Sequence, residues 1–283
     1  MAKIKNIEFY NYRNFKNFKT SFDNKLNILF GNNGCGKTNI LEGISLIAKG
    51  RGVRNSNIKN LIKKQEENFL IKNNLEIQKN VFNIEIFAEQ KNEKLKKIIK
   101  INNDSSKDSI SFLNQSISYL IFLPEMERLF QSSPSYRRNF IDRLIFSSRK
   151  DYNILMNKYK KSLIERNKIL QSYNFDNDWL NRIESEICEL GLEIYKLRNL
   201  QLNALNVELQ NLKYDHSFQF DIKLEVKDSF LNDEINFEEY FSNLQNSRLH
   251  DKQFGGTKIG PHKSDIISII NNEFDASLLS TGQ

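Results

Sequence analysis

The sequence predicts an α/β fold that carries an inserted helical lobe. Short segments with alternating apolar residues fill the first hundred or so positions, as expected of strands. A glycine-rich loop lies between one such segment and an amphipathic helix, an arrangement that is typical of α/β folds. Two later segments are long, apolar at helical spacing and almost free of glycine and proline. With 283 residues, the chain is long enough for one large domain or two smaller ones.

Six segments near the N-terminus are predicted to form closely spaced strands in mixed sheets. They cover residues 3–12, 19–22, 25–31, 81–90, 94–103 and 112–125. The lysines of the fifth segment alternate along a strand, so they are expected to form a solvated face. These lysines are Lys94, Lys96, Lys97 and Lys100.

Two longer segments are predicted to be helices, from Ser135 to about Ser172 and from Asp178 to about Lys213, interrupted only by Gly191. The second segment has a heptad pattern at Leu180, Ile183, Ile187, Leu190, Ile194 and Leu197. The first offers a facing stripe at Leu155, Tyr159, Leu163 and Leu170. We expect an antiparallel hairpin inside a packed helical domain, since about two or three heptads are too few for a long projecting coiled coil.

The composition indicates a globular protein with a basic excess. Hydrophobic residues make up 39% and charged residues 27%, which excludes a disordered chain. The net charge of +7 favours a polyanionic partner such as nucleic acid, although many basic proteins bind none. We expect a cytoplasmic protein without a membrane partner, because no apolar run reaches roughly 18 residues and the N-terminus does not resemble a signal peptide. Cys35 and Cys188 lie far apart without metal-ligand spacing, which argues against a zinc site and a disulfide framework.

The loop between residues 31 and 38 matches the nucleotide-binding pattern G-x-x-x-x-G-K-[ST]. It consists of Gly31, Asn32, Asn33, Gly34, Cys35, Gly36, Lys37 and Thr38. Its glycines allow backbone N–H groups to wrap a phosphate, Lys37 is placed to reach the β- and γ-phosphates of ATP, and Thr38 to bind Mg²⁺. The alternative is a chance glycine-rich turn with a helix-capping threonine. The backbone amide of Cys35 matters more here than its side chain, which argues against a catalytic cysteine.

Several stretches, taken together, resemble the RecF family of bacterial recombination mediators, within the SMC/ABC-type ATPases. They are FYNYRNF (9–15), GNNGCGKTNILEGI (31–44), GRGVR (50–54), LPEMERLFQSSPSYRRNFID (123–142), GPHKSD (260–265) and LSTGQ (279–283). The resemblance extends from residue 3 to residue 283. Its most specific part is S-P-x-x-R-R-x-F-[IL]-D together with G-P-H-[KR]-x-D, because isolated Walker A loops also occur in kinases and transporters.

The resemblance implies a P-loop ATPase head of the SMC/ABC type. The head is expected to comprise residues 1–122 and 248–283, and the helical lobe residues 123–247. ATP and Mg²⁺ are the implied cofactors, with Arg13 near the adenine side; a solvated strand end is the alternative for Arg13.

In related ATPases the signature motif acts across an ATP-dependent homodimer. Ser280, Gly282 and Gln283 are therefore expected to cap the γ-phosphate that is bound by the partner. Family members continue beyond this motif through a Walker B strand with catalytic carboxylates, and we find no equivalent before Gln283. The apolar segment 266–273 precedes the signature motif, and its last apolar residue is followed by Asn271 rather than by an aspartate, so it is not a candidate. We expect a truncated head that hydrolyses ATP no faster than background, and its catalytic residues stay unassigned.

Four arginines are the candidate DNA contacts that the resemblance suggests, namely Arg51, Arg54, Arg137 and Arg138. A solvated basic turn is an equal alternative for Arg51 and Arg54. For Arg137 and Arg138 the alternative is an internal ion pair with Asp142 or Glu125, since a guanidinium suits carboxylate and phosphate alike. His262 has no identifiable catalytic partner and is interpreted as a structural turn residue.

The function that the resemblance implies is ATP-dependent DNA binding in DNA replication, repair and the SOS response. Such a protein acts at single-strand gaps and helps to load the RecA recombinase. The expected partners are single-stranded, gapped or duplex DNA and the mediator proteins RecR and RecO. The alternatives are a transporter ATPase subunit, against which the long helical hairpin counts, and a structural SMC-type chromosome protein, which requires a much longer arm.

Overall fold

The chain forms two compact units in a computed structural model, Met1–Ile121 and Phe122–Gln283. The structure describes residues 2–23, 25–47, 52–54, 56–91, 94–117, 119–122, 128–172, 176–214, 221–229, 236–271 and 273–278. Among these residues, no helix is both long enough and apolar enough to cross a lipid bilayer.

A five-stranded sheet in the order β2-β1-β3-β4-β5 organises the first unit. Its strands are β1 (Ala2–Tyr12), β2 (Phe15–Ser21), β3 (Leu70–Ile77), β4 (Asn80–Lys91) and β5 (Lys94–Ile101). All pairings among these described strands are antiparallel, so the prediction of mixed sheets is wrong. Short turns join β1 to β2 and β3 to β4, and a short turn can connect only antiparallel neighbours.

The inner face of this sheet packs against helix α1 (Lys37–Ser45). Ile7, Phe9 and Ile71 are fully buried in this core. The helix approaches the sheet closely at Gly43, where an added Cβ would lie 2.3 Å from the ring of Phe9. A side chain at position 43 would therefore push the helix off the sheet.

The outer face of the sheet carries a row of alternating charges across all five strands. In order of strands the row is Lys19, Glu8, Lys72, Glu85 and Lys100, each residue directly opposite the next. The Lys19–Glu8 and Lys72–Glu85 ion pairs measure 2.5 and 3.0 Å. Opposite charges on facing strand positions stabilise this pairing register modestly.

Strand β3 is absent from the sequence prediction because Asn73 interrupts its apolar alternation. The structure nevertheless buries every second residue of β3, and Asn73 takes one of the buried positions between Ile7 and Ile84. Its side chain is 1% exposed, and neither its nitrogen nor its oxygen has a hydrogen-bond partner among the residues that the structure describes.

Two predicted strands are not found among the described residues, and residues 118 and 123–125 of the second lie outside them. Residues 25–30 form no ladder with any described strand, and Leu26, Ile28 and Phe30 are 77, 75 and 91% exposed. Apolar alternation predicts which residues can line a strand, but a strand also needs a neighbour for its backbone groups. The segment 112–125 begins in helix α2 (Lys107–Ser116), because Ser106 caps that helix by accepting a hydrogen bond from the Ser109 N–H.

The second unit is mainly helical. Its helices are α3 (Pro134–Ser148), α4 (Tyr152–Gln171), α5 (Asn177–Tyr214), α6 (Phe237–Asn246) and α7 (Arg248–Phe254). The predicted helix from Ser135 to Ser172 is thus two helices, broken at residues 149–151, where Arg149 leaves the helical conformation. The predicted helix from Asp178 to Lys213 is confirmed as α5.

The antiparallel hairpin of α4 and α5 is confirmed. Ser162 and Arg166 of α4 bond to Glu186 and Glu184 of α5, so the sequence runs in opposite directions along the two helices. The predicted heptad residues of α5 are buried, except that Leu190 is only partly buried. The facing stripe on α4 likewise belongs to this core.

A small antiparallel sheet completes the second unit. It joins β6 (Ile222–Lys227), β7 (Asp265–Ile270) and the two-residue β8 (Phe274–Asp275). Strand β7 covers the apolar part of the segment 266–273, whereas β6 falls inside the predicted helical lobe and was missed. The described part of the segment 248–283 packs with the helical residues in this unit, and its predicted membership of an ATPase head stays a prediction.

We predict that Asn73→Leu raises the free energy of unfolding by about 1–3 kcal/mol, because it replaces an unpaired buried amide with an apolar side chain of similar shape. Chemical denaturation followed by circular dichroism measures this change. Asn74→Leu, on the opposite face of the same strand, is the matched control and should change stability by less than about 0.5 kcal/mol. A clear loss of stability in Asn73→Leu would contradict the prediction.

Candidate phosphate-binding site

The glycine-rich loop adopts a conformation that its glycines make accessible. Gly31, Gly34 and Gly36 have φ angles of 145, 83 and 109°, which L side chains rarely adopt. At Gly36 an added Cβ would also lie 2.5 Å from the ring of Phe15. The loop is closed by a hydrogen bond from the Cys35 N–H to the Asn32 carbonyl at 3.3 Å.

The loop leads into the N-terminus of α1, whose backbone N–H groups can bind an anion. Gly36 is the N-cap residue and supplies no side-chain hydrogen bond. Within α1, which is fully described, the first turn holds no acidic residue. The first N–H groups of the helix, with the positive end of its dipole, therefore remain available to a negatively charged group.

Lys37 places its ammonium group across the loop. Its Nζ donates hydrogen bonds to the carbonyl oxygens of Gly31 at 2.7 Å and Asn32 at 3.0 Å. Thr38 follows it and is exposed. The Cys35 thiol is exposed, 3.9 Å from this Nζ. A bound phosphate in the loop would meet the ammonium, backbone N–H groups and the threonine hydroxyl together.

Arg13 forms a two-pronged ion pair with the buried carboxylate of Glu42 on α1. The guanidinium donates from Nε at 2.9 Å and from Nη2 at 2.6 Å, and it also contacts the Ser56 hydroxyl and the Asn60 carbonyl. Glu42 is 1% exposed. Arg13 is therefore an anchored side chain rather than a solvated strand end, and its placement near the adenine side stays a prediction.

Arg54 lies beside the same helix. Its Nη1 donates to the Asn39 side-chain oxygen at 3.0 Å and lies 3.7 Å from the Glu42 carboxylate. Arg51, the other arginine of the GRGVR stretch, lies outside the described residues. The structure thus gives Arg54 contacts within its own unit, and DNA contact by either arginine stays a prediction.

The C-terminal end of α1 is held by a lysine that sequence reasoning assigned to a solvated face. Lys97 on β5 points inward, and its Nζ donates to the Leu46 carbonyl at 3.0 Å. The Tyr119 hydroxyl donates to the Ser45 carbonyl next to it. A cation suits this end of a helix. Burial lowers the pKa of Lys97 to about 8.

Arg137 and Arg138 make internal contacts in the second unit. Arg137 binds both oxygens of Asp265 at 2.9 and 2.6 Å and donates to the Phe130 and Ser132 carbonyls. Arg138 donates to the Ser264 carbonyl. The alternative of an internal ion pair is therefore observed for Arg137, although its partner is Asp265. Asp142 instead accepts from Arg198 at 2.9 and 3.0 Å, and Glu125 lies outside the described residues.

His262 is partly buried and is held by two hydrogen bonds. Its Nε2 donates to the Thr257 carbonyl at 2.8 Å, so its Nδ1 accepts a hydrogen bond from the Tyr159 hydroxyl, also at 2.8 Å. Burial lowers the pKa of His262 to about 4, which keeps the ring neutral. Tyr240 bonds to the Tyr159 hydroxyl as well. The signature residues Ser280, Gly282 and Gln283 lie outside the described residues.

Comparison with known proteins identifies the family. The family model described as "AAA domain" matches residues 4–254. "DNA replication and repair protein RecF" of Rickettsia massiliae (strain Mtu5) is 33% identical over 96% of this chain and 76% of its own length. The chain belongs to the RecF family. The RecF protein of Rickettsia prowazekii (strain Madrid E) is 32% identical over the same shares of the two chains.

Solved structures of RecF agree with this family membership. A structure of the recombination mediator protein RecF with ATPrS in the RecFOR pathway has a TM-score of 0.82 and 28% identity, over 100% of this chain and 77% of that one. The corresponding RecF structure with ATP has a TM-score of 0.83 and 26% identity, over 99% of this chain and 76% of that one. An Smc head domain from Pyrococcus furiosus, 16% identical with a TM-score of 0.51 over 99% and 75% of the two chains, shares the fold.

We predict a pH-dependent difference in stability between the unchanged protein and the variant Lys97→Met. The free energy of unfolding of the unchanged protein, minus that of the variant, should rise by up to about 3 kcal/mol as the pH rises from about 8 to about 10.5. The folded state lowers the pKa of Lys97 to about 8. Between the two pKa values the unfolded chain binds more protons than the folded one, so deprotonation favours folding. Urea unfolding of both proteins across this pH range measures the difference.

The matched control for this titration is Lys96→Met, at the exposed neighbouring position on β5. It should keep the pH dependence of the unchanged protein. Parallel stability curves for Lys97→Met and the unchanged protein would show that Lys97 titrates as an exposed lysine does.

Proposed function

We propose that this protein binds ATP with Mg²⁺ in its glycine-rich loop and acts in DNA replication and repair as a recombination mediator. In this role it binds single-stranded, gapped or duplex DNA, works with RecR and RecO, and helps to load the RecA recombinase at single-strand gaps. Membership of the RecF family supports the general role. The solved relatives that carry ATP or ATPrS in their descriptions support the nucleotide.

The observation that carries this proposal is the position of the Lys37 ammonium. It lies at hydrogen-bonding distance from the Gly31 and Asn32 carbonyls, at the N-terminus of α1. The β- and γ-phosphates of ATP fit this arrangement, because they bring the negative charge that the ammonium and the helix dipole both attract. The exposed hydroxyl of Thr38 is the proposed protein ligand of Mg²⁺, which also binds the phosphates.

The proposed active species is an ATP-dependent homodimer. Ser280, Gly282 and Gln283 are the residues proposed to contact the nucleotide of the partner. Such an arrangement makes ATP part of the dimer interface, so that nucleotide binding and association favour each other.

The DNA-binding part of the proposal rests on the family and on the net charge of +7. Arg54, Arg137 and Arg138 each make contacts within their own unit. Arg51, Arg54, Arg137 and Arg138 stay the proposed DNA contacts, and other basic residues of the chain add to the attraction to phosphates. Contacts of this kind position a protein on DNA without reading its bases.

We predict that Lys37→Ala weakens ATP binding at least about tenfold, because the phosphates lose their only side-chain cation in the loop and charged hydrogen bonds are the stronger ones. Equilibrium titration with a fluorescent ATP analogue measures the affinity. Lys16→Ala removes the same charge from an exposed position on β2 and should bind ATP as the unchanged protein does. Equal affinities for the two variants would exclude this loop as the ATP site.

We predict that DNA binding weakens steadily with salt and depends little on sequence. Counterion release makes log K fall linearly with log salt, with a slope of about −0.9 per phosphate contact on duplex and about −0.7 on single strands. Fluorescence anisotropy with gapped duplexes of two unrelated sequences, between 50 and 200 mM salt, measures the slope. Flat affinity over this range would mean that the basic excess does not bind DNA.

A further inference from the structure

A chain of three side chains connects the Arg54 guanidinium to the glycine-rich loop. Arg54 Nη1 donates to the Asn39 side-chain oxygen at 3.0 Å. The Asn39 amide nitrogen donates to the Asn14 side-chain oxygen at 2.8 Å, and the Asn14 amide nitrogen donates to the Cys35 carbonyl at 3.0 Å. We refer to Arg54, Asn39 and Asn14 as the amide relay.

The direction of the amide relay is fixed by the groups at its two ends. A guanidinium can only donate hydrogen bonds, and a backbone carbonyl can only accept them. Both asparagine amides must therefore present oxygen towards Arg54 and nitrogen towards Cys35. Reversing either amide would place two donors or two acceptors against each other, so the relay has a single orientation.

The turn that carries Asn14 is itself held in place. The Arg13 N–H donates to the Leu61 carbonyl at 2.8 Å, and Lys63 Nζ donates to the Asn14 carbonyl at 3.1 Å. Gly36 lies against this turn, since an added Cβ there would be 2.8 Å from the Asn14 amide nitrogen. The Asn14 side chain therefore meets the loop from a fixed backbone.

The relay ends on the peptide bond that joins Cys35 to Gly36. In a planar trans peptide the C=O of one residue and the N–H of the next point in opposite directions. Holding the Cys35 carbonyl towards Asn14 therefore turns the Gly36 N–H away from Asn14. Gly36 is the N-cap of α1, where the N–H groups of a phosphate-binding loop face the ligand.

We propose that Asn14 is a positioning residue for nucleotide binding, which orients the Cys35–Gly36 peptide through the amide relay so that the Gly36 N–H faces the phosphates. This inference rests on the proposed binding of ATP by the same loop. In this proposal, Asn39 and Arg54 orient the Asn14 amide. When the relay is broken, the affinity of the loop for phosphates falls.

The test compares Asn14→Ala, Asn39→Ala and the double variant in the full chain, by titration with ATP, ADP and AMP. Asn14→Ala should weaken ATP and ADP binding about 3- to 10-fold, the range expected from the loss of one net hydrogen bond. AMP binding should stay unchanged. Asn39→Ala should have a smaller effect, and the double variant should bind no more weakly than Asn14→Ala, because both changes break one relay.

The amide chemical shift of Gly36 and the melting temperature separate positioning from a purely structural role. The amide chemical shift of Gly36 should move on ADP binding in the unchanged protein and move less in Asn14→Ala. Asn17→Ala, at an exposed position on β2, is the matched control and should match the unchanged protein in affinity, chemical shift and melting temperature. The proposal would be overturned if Asn14→Ala lost affinity and had a lowered melting temperature while its Gly36 amide signal moved on ADP binding as far as in the unchanged protein.

The failure of this inference can be told apart from the failure of the proposed function. If Lys37→Ala loses ATP binding while Asn14→Ala binds ATP as Asn17→Ala does, the loop is the ATP site and the relay does not position it. If Lys37→Ala also binds ATP normally, the proposed nucleotide site itself is wrong.

Discussion

The buried carboxylate of Glu42 is the interaction on which the phosphate-binding region depends. It lies on α1 and accepts from Arg13 in the β1–β2 turn and from the Ser56 hydroxyl beyond the helix. The Tyr12 hydroxyl reaches the same carboxylate at 3.4 Å. A buried ion pair adds little net stability, but the loss of one partner leaves an uncompensated charge, at a cost of about 3–5 kcal/mol. The turn, the helix and the loop before it are thus fixed as one arrangement.

The second unit uses buried charges in the same way. Arg166 is fully buried and bonds to Glu184 on α5 and to Asp251 on α7, while Arg198 bonds to Asp142. The two stretches that were most specific for the family, 133–142 and 260–265, meet through the pair of Arg137 and Asp265. Family motifs of this kind therefore reflect internal contacts of the fold as well as contacts with ligands.

Local patterns in the sequence predicted the loop, the helix after it and the α4–α5 hairpin, because each depends on spacing within a short segment. Features that depend on distant partners were not predictable. The partner of Arg137 lies 128 positions along the chain. Strand β3 holds Asn73 at a core position, against its pattern. Residues 25–30 have the pattern of a strand but no neighbour among the described strands. Lys97 was misplaced because it was grouped with Lys94, Lys96 and Lys100, although its alternate neighbours Leu95, Ile99 and Ile101 are apolar.

The row of alternating charges on the outer face of the first sheet has an electrostatic consequence. Three lysines and two glutamates carry a net +1, and ion pairs of 2.5 and 3.0 Å join four of them. Adjacent opposite charges act as small dipoles, whose potential fades faster with distance than that of a single charge. At a Debye length of about 8 Å an approaching polyanion therefore experiences little more from this row than the pull of its net +1. The positive field of the +7 chain therefore originates mainly in other parts of its surface, and this row contributes little to the potential around the protein.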